Sequence, residues 1–130
     1  MGAQAPAFPL MVLVDTSVWI QHFRRTQPLL VELLEQGEVA CHAMILGELA
    51  CGHLADRRQV LRDLAVLPLA GACEDSEVMH LIDHRRLYGT GIGWVDAHLL
   101  ASVLTHELRF WTLDTAFAKQ AARLGVERWG

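Results

Sequence analysis

The stretch V-L-V-D-T-S-V-W-I, residues 12–20, decides the fold. Its first part is short, continuous, apolar and rich in β-branched residues, which predicts a buried strand over residues 10–14. Asp15, Thr16 and Ser17 then interrupt the apolar run, and a short helix is predicted from Ser17 onward. Two explanations are open here. Either the polar residues cap the helix, or a buried strand delivers a carboxylate to a functional site.

The composition indicates one globular domain over residues 10–130, preceded by a loose tail of residues 1–9. Hydrophobic residues make up 52% of the 130-residue chain, and no apolar run approaches the length of a membrane span. The three cysteines are few and odd in number, which argues against a disulfide framework, so we expect a cytoplasmic protein. The net charge of -4 disfavours a protein that coats nucleic acid, but it is compatible with an acidic metal site.

Strand-like and helix-like patterns alternate along the chain. Further strands are predicted at residues 39–41, 66–67, 109–113 and 126–129. Helices are predicted at residues 17–23, 28–36, 43–51, 57–64, 76–88, 94–105 and 115–124. This alternation predicts an α/β fold in which helices cover both faces of a parallel sheet.

Four carboxylates fall at positions that the apolar pattern makes notable. Asp15 and Asp114 each follow a predicted strand directly, and ligands of open parallel sheets bind at the carboxyl ends of the strands. Glu48 lies in a helix that is apolar nearly all round, which predicts a buried side chain with a partner. Asp96 lies in the first turn of another apolar helix. Helix capping, the helix dipole or a salt bridge to an arginine would explain each acid singly.

Taken together, the four acids predict a metal site. Clustered carboxylates raise one another's pKa, and a divalent cation removes that penalty. Ligands that are all oxygen suit Mg²⁺ or Mn²⁺ rather than Zn²⁺. Such an ion activates water and stabilises the transition state of phosphoryl transfer.

Four motifs along the chain resemble those of PIN-domain ribonucleases, and more narrowly those of the toxin half of VapBC toxin–antitoxin pairs. They are V-D-T-S-V-W-I, L-G-E-L-A-C-G, Y-G-T-G-I-G-W-V-D-A-H-L-L-A-S and W-T-L-D-T-A-F-A, in this order. The resemblance runs from about Met11 to the C-terminus. It implies a three-layer α/β/α PIN-like domain around a parallel sheet of about five strands, and a Mg²⁺- or Mn²⁺-dependent endoribonuclease.

Residue by residue, the resemblance implies that Asp15, Glu48, Asp96 and Asp114 are the catalytic and metal-binding acids. Asp15 and Asp96 match most firmly as metal ligands. The family also has hydroxyl residues that support the site, and these positions match Thr112 and either Thr16 or Ser17. The resemblance also implies a VapB-like antitoxin partner and a homodimer, or a higher toxin–antitoxin assembly, with no membrane association.

The substrate would be RNA, and candidate RNA contacts are Arg85 and Arg86, because the glycines at 89, 91 and 93 allow close approach of the backbone. Solvated helix faces explain most arginines equally well. Two alternatives to the toxin remain open. One is a PIN-fold nuclease in RNA maturation or on structured DNA, and the other is a non-catalytic PIN-like module that binds protein.

Overall fold

The computed structural model describes residues 11–129, which form three strands and seven helices. The strands are β1 (Val12–Val14), β2 (Val39–Ala40) and β3 (Arg109–Trp111). The helices are α1 (Thr16–Arg24), α2 (Pro28–Glu35), α3 (Ala43–Cys51), α4 (Arg57–Ala65), α5 (Asp75–His84), α6 (Trp94–His106) and α7 (Thr115–Arg123). The predicted tail and Leu10 lie outside the described residues. In the described part of the chain, no helix is long and apolar enough to cross a membrane.

The sheet is parallel and has β1 at its centre, in the order β2-β1-β3. Val12, Leu13 and Val14 are all fully buried. Because successive side chains of a strand point to opposite faces, helices must cover both sides of β1. The predicted α/β fold is therefore confirmed, and β1 and β3 end at the same edge of the sheet.

Single parallel bridges extend the sheet at both edges, between Cys41 and Leu69 and between Phe110 and Arg128. The predicted strand at residues 66–67 is wrong. Val66 is the residue after α4 and is 83% exposed, and the chain first bonds to the sheet at Pro68, whose carbonyl oxygen accepts from the Cys41 N–H. The predicted strand at 126–129 is reduced to its bridge. Of the five predicted strands, three are therefore present, one is reduced to a bridge at Arg128, and one is wrong, with a bridge at Leu69 two residues beyond it.

Helix α5 ends at His84, earlier than the predicted residue 88. Arg86 adopts a left-handed backbone conformation with φ of 53°. The N–H of Leu87 then donates to the carbonyl oxygen of Ile82 at 2.9 Å, which closes the last turn of the helix.

A buried polar network joins α3 to α6. Nδ1 of His42, the residue before α3, accepts from the Met44 N–H at 3.0 Å, so the ring proton lies on Nε2. Nε2 donates to Ser102 Oγ at 2.9 Å, and Ser102 Oγ donates to the Gly71 carbonyl at 2.8 Å. Burial lowers the pKa of His42, and the nearby His98 adds to this effect. The neutral ring therefore links the two helices that carry Glu48 and Asp96.

We expect Ser102→Ala to lower the free energy of unfolding by about 1–3 kcal/mol, because it leaves the buried Nε2–H of His42 without a partner and removes the hydrogen bond to the Gly71 carbonyl. Chemical denaturation measures the change. Thr105→Ala in the same helix is the matched control, because Thr105 is exposed. Equal losses for the two variants would contradict a structural role for the network.

Candidate active site

Asp15 stands at the carboxyl end of β1 and is 5% exposed. It occupies the N-cap position of α1, but its side chain caps no backbone N–H. Oδ2 instead accepts hydrogen bonds from Ser17 Oγ at 2.7 Å and from Thr112 Oγ1 at 2.8 Å. Helix capping therefore does not explain this carboxylate, which is buried and oriented by two hydroxyls.

The two hydroxyls also join the end of β1 to the end of β3. Ser17 Oγ and Thr112 Oγ1 lie 3.3 Å apart. Ser17 Oγ accepts from the Leu113 N–H at 3.0 Å, and Thr112 Oγ1 accepts from the Asp114 N–H at 3.1 Å. Strand β3 thus ends at Trp111, two residues before the predicted end at residue 113, because the chain turns toward Ser17.

Asp114 follows this turn and caps α7. Its Oδ1 accepts from the Phe117 N–H at 3.0 Å, and the residue is exposed. Capping is therefore a real function of Asp114. It uses only one of the two carboxylate oxygens.

The predicted burial of Glu48 is wrong. Helix α3 buries Ile45 and Leu49, whereas Glu48 lies on the exposed side. The alternative explanation, a salt bridge from Glu48 to an arginine, is not formed among residues 11–129. Glu48 Oε1 instead accepts from Thr16 Oγ1 at 2.8 Å. This contact ties α3 to the first turn of α1, directly beside Asp15.

Asp96 is half-buried in the first turn of α6. Its pKa is raised, first by burial and then by the charges of Asp15, Asp114 and Glu48. A hydrogen bond from the Gly93 N–H to Oδ2, at 3.1 Å, opposes the rise in the pKa. The structure therefore brings all four predicted acids into one electrostatic cluster, around the carboxyl ends of β1 and β3.

The cluster is not a preformed cage. Within residues 11–129, no three Cys, His, Asp or Glu side chains are arranged so that they could hold a metal ion. Each of the four carboxylates binds a hydroxyl or a backbone N–H instead. The donors are nevertheless all oxygen, which suits a hard divalent cation, and such a cation would offset the mutual repulsion that raises the Asp96 pKa.

In the described part of the chain, Arg85 and Arg86 form no hydrogen bond or ion pair with any of the four acids. The carbonyl oxygens of both accept hydrogen bonds from Arg123 Nη2, at 2.8 and 3.4 Å. The Arg85 side chain lines a groove of about 450 Å³ between α5 and α6, and none of the four acids lines this groove. Their contact with RNA stays a prediction.

A cleft beside Glu48 is a feature that the sequence analysis missed. It has a volume of about 570 Å³ and lies between α1, α3 and the segment that leads into α4. Its apolar lining includes Ile20, Phe23, Leu54 and Val60. Ile20 and Phe23 are 38% and 37% exposed, and their spacing of three residues on α1 is the one signal that could have indicated the cleft.

Comparison with known proteins identifies the family. A family model described as the PIN domain matches residues 12–123, a range that includes all four acids. The chain belongs to the PIN-domain family. This PIN domain is 45% identical over 117 residues to ribonuclease VapC32 of Mycobacterium tuberculosis, a match that covers 89% of this chain and 94% of that protein.

Solved structures share the fold of this PIN domain. VapBC-1 from nontypeable Haemophilus influenzae matches with a TM-score of 0.71 at 11% identity, over 92% of this chain and 97% of that one. VapBC2 from Rickettsia felis, bound to a DNA fragment from its promoter, matches with a TM-score of 0.69 at 15% identity, over 93% and 100%. PIN-domain nucleases of the VapC kind are generally dependent on a divalent metal ion.

Proposed function

We propose that this PIN domain is a metal-dependent endoribonuclease and the toxin of a type II toxin–antitoxin pair. One observation carries the proposal: four acids form one electrostatic cluster at the carboxyl ends of β1 and β3, in a chain that is 45% identical to a VapC ribonuclease. A cluster of this kind suits metal-assisted hydrolysis of RNA phosphodiester bonds, because carboxylates can hold the cation that activates water.

Asp15 and Asp96 would hold Mg²⁺ or Mn²⁺, and Glu48 and Asp114 would complete the pocket directly or through water. The ion would activate water and stabilise the charge that develops on the phosphate. Ser17 and Thr112 donate to Oδ2 of Asp15 and so fix the direction of its carboxylate. Thr16 does the same for Glu48.

The antitoxin would bind in the cleft beside Glu48. A peptide segment with apolar side chains suits the lining by Ile20, Phe23, Leu54 and Val60, and a basic side chain suits the neighbouring acids. A VapB-like antitoxin is therefore the expected partner, in a homodimeric or larger toxin–antitoxin assembly.

Cys41, Cys51 and Cys73 form no disulfide, which supports a cytoplasmic location.

Cleavage of total RNA by the purified protein tests the proposal. We expect discrete fragments with Mg²⁺ or Mn²⁺ and none with a chelator. Cleavage that persists in the chelator would contradict a metal-dependent mechanism. The absence of cleavage with either ion, together with no metal-dependent rise in the melting temperature, would favour a binding module without catalysis.

We expect Thr112→Val to lower metal affinity or the cleavage rate by about 10- to 100-fold, as changes to groups that orient metal ligands generally do. Valine keeps the shape but removes the hydroxyl that binds Asp15 Oδ2. Titration of the cleavage rate with Mn²⁺ measures the change. Thr112→Ser keeps the hydroxyl and should retain activity, so a loss of equal size in both variants would contradict the orienting role.

A further inference from the structure

Helix α4 carries a concentration of positive charge in an acidic chain. Three of the eleven Lys and Arg residues lie within its nine positions, at Arg57, Arg58 and Arg62. All three are exposed. The net charge of the whole chain is -4, so a basic surface of this kind stands out from its surroundings.

Arg57 has a structural task. Its Nε and Nη2 donate to the Ala50 carbonyl oxygen at 3.1 and 2.8 Å, which satisfies one of the free carbonyls at the end of α3. This contact holds the beginning of α4 against the end of α3. The position of the basic surface relative to Glu48 on α3 is thereby fixed.

Arg58 and Arg62 have no acidic partner in the described part of the chain. Among residues 11–129, a basic side chain lies within 4 Å of an acidic one at His98 and Asp75 and at Arg109 and Glu127. Arg62 donates only to the neutral Gln59 Oε1, at 3.0 Å. Their positive charges are therefore available to an anionic ligand.

The basic surface continues into the cleft that Glu48 lines. Arg58 and Arg62 line a groove of about 500 Å³, and Asp56 lines both this groove and the cleft of about 570 Å³. Arg24, in the last turn of α1, lines the cleft as well. The groove and the cleft are thus adjacent, with Arg58 and Arg62 on one side of Asp56 and Arg24 on the other side, next to Glu48.

We infer that Arg58 and Arg62, with Arg24, bind the phosphodiester backbone of single-stranded RNA on one side of the bond that is cut. This inference rests on the proposed function. Guanidinium groups pair with phosphates through charge-assisted hydrogen bonds. The three arginines of α4 outnumber its two neighbouring acids, Asp56 and Asp63, and neither acid forms an ion pair with them in the described part of the chain. Because acids elsewhere on the chain repel RNA, this basic surface directs where the strand lies. An acidic peptide is the competing ligand, and the test includes it.

The test measures binding of a labelled, mixed-sequence single-stranded RNA of about 16 nucleotides, in chelator and at several salt concentrations. The double variant Arg58→Gln/Arg62→Gln is compared with Lys119→Gln/Arg128→Gln, which removes the same charge at two exposed positions that line neither the groove nor the cleft. We expect the first to lower affinity by about 10- to 100-fold. It should also reduce the slope of log affinity against log salt by about 0.7 per lost phosphate contact.

Equal losses of RNA affinity in the two double variants would show that only the net charge matters, and this would overturn the inference. Unchanged RNA affinity of Arg58→Gln/Arg62→Gln would overturn it as well. Polyglutamate that binds as tightly as RNA, with the same dependence on Arg58 and Arg62, would overturn it in favour of an acidic peptide. Circular dichroism checks the fold, which exposed substitutions should leave intact.

Cleavage by the unmodified protein, measured in parallel, separates the two claims. Cleavage without any dependence of binding on Arg58 and Arg62 would overturn the inference and leave the proposed function standing. Binding that depends on both arginines, in a protein that cuts no RNA, would support the RNA surface and contradict the nuclease.

Discussion

We expect Asp15→Asn to lower metal-dependent RNA cleavage by on the order of 10³-fold, the scale seen when a group that stabilises developing charge is removed. Asparagine keeps the size of the side chain, and its Oδ1 can still accept from Ser17 and Thr112. It loses the negative charge that would hold the cation. The effect should therefore fall on metal binding and cleavage rather than on the fold.

The stability of Asp15→Asn separates this role from a structural one. In chelator, the variant should be at least as stable as the unmodified protein, because it removes one of the charges that act on Asp96. Added Mn²⁺ should raise the melting temperature of the unmodified protein more than that of the variant. Asp83→Asn, at an exposed position on α5, is the control with the same charge change. A variant that cleaves RNA as well as this control would remove Asp15 from the mechanism.

The sequence was sufficient to place Asp15 and Asp114 at the same edge of the sheet. Each follows a strand, and the carboxyl ends of parallel strands necessarily lie on one side. It could not decide between capping and a site, because both explanations put an acid at that turn. The hydrogen bonds show that Asp114 caps α7, whereas Asp15 caps no N–H and binds the hydroxyls of Ser17 and Thr112.

The apolar composition of α3 was not sufficient to predict whether Glu48 is buried or exposed. Ala43 and Gly47 count as apolar but are exposed, and Met44 and Leu46 are only partly buried. Small residues expose little surface, so a helix that contains several of them need not be covered by other elements. Which face of α3 meets the core depends on α4 and α6, whose positions are tertiary information.

The predicted edge strand at residues 66–67 was wrong for a similar reason. An apolar pair such as Val66 and Leu67 fits a strand by pattern, but α4 continues as far as the residue before Val66. The cleft and the basic surface of α4 were also beyond sequence reasoning, because residues from α1, α3 and α4 line them together. Patterns within one element can predict that element, but they cannot predict a surface that several elements share.

Asp96→Asn should remove a pH dependence from the stability of the metal-free protein. The pKa of Asp96 is raised above its ordinary value of 3.8, first by burial and then by Asp15, Asp114 and Glu48. The folded chain therefore binds the proton more tightly than the unfolded chain does. The resulting stability is fully present below pH 3.8 and is lost as the pH rises through the folded pKa.

Chemical denaturation in chelator, from pH 3.5 to 7.5, should show the loss in the unmodified protein and a flatter curve for Asp96→Asn, about in proportion to the pKa difference. At neutral pH the variant should be the more stable protein, although its RNA cleavage should fall on the order of 10³-fold. Mn²⁺ should close the stability gap, because the cation offsets the repulsion that the substitution removes. Parallel curves for the two proteins would mean that neither burial nor the neighbouring acids raise the pKa of Asp96 in the folded protein.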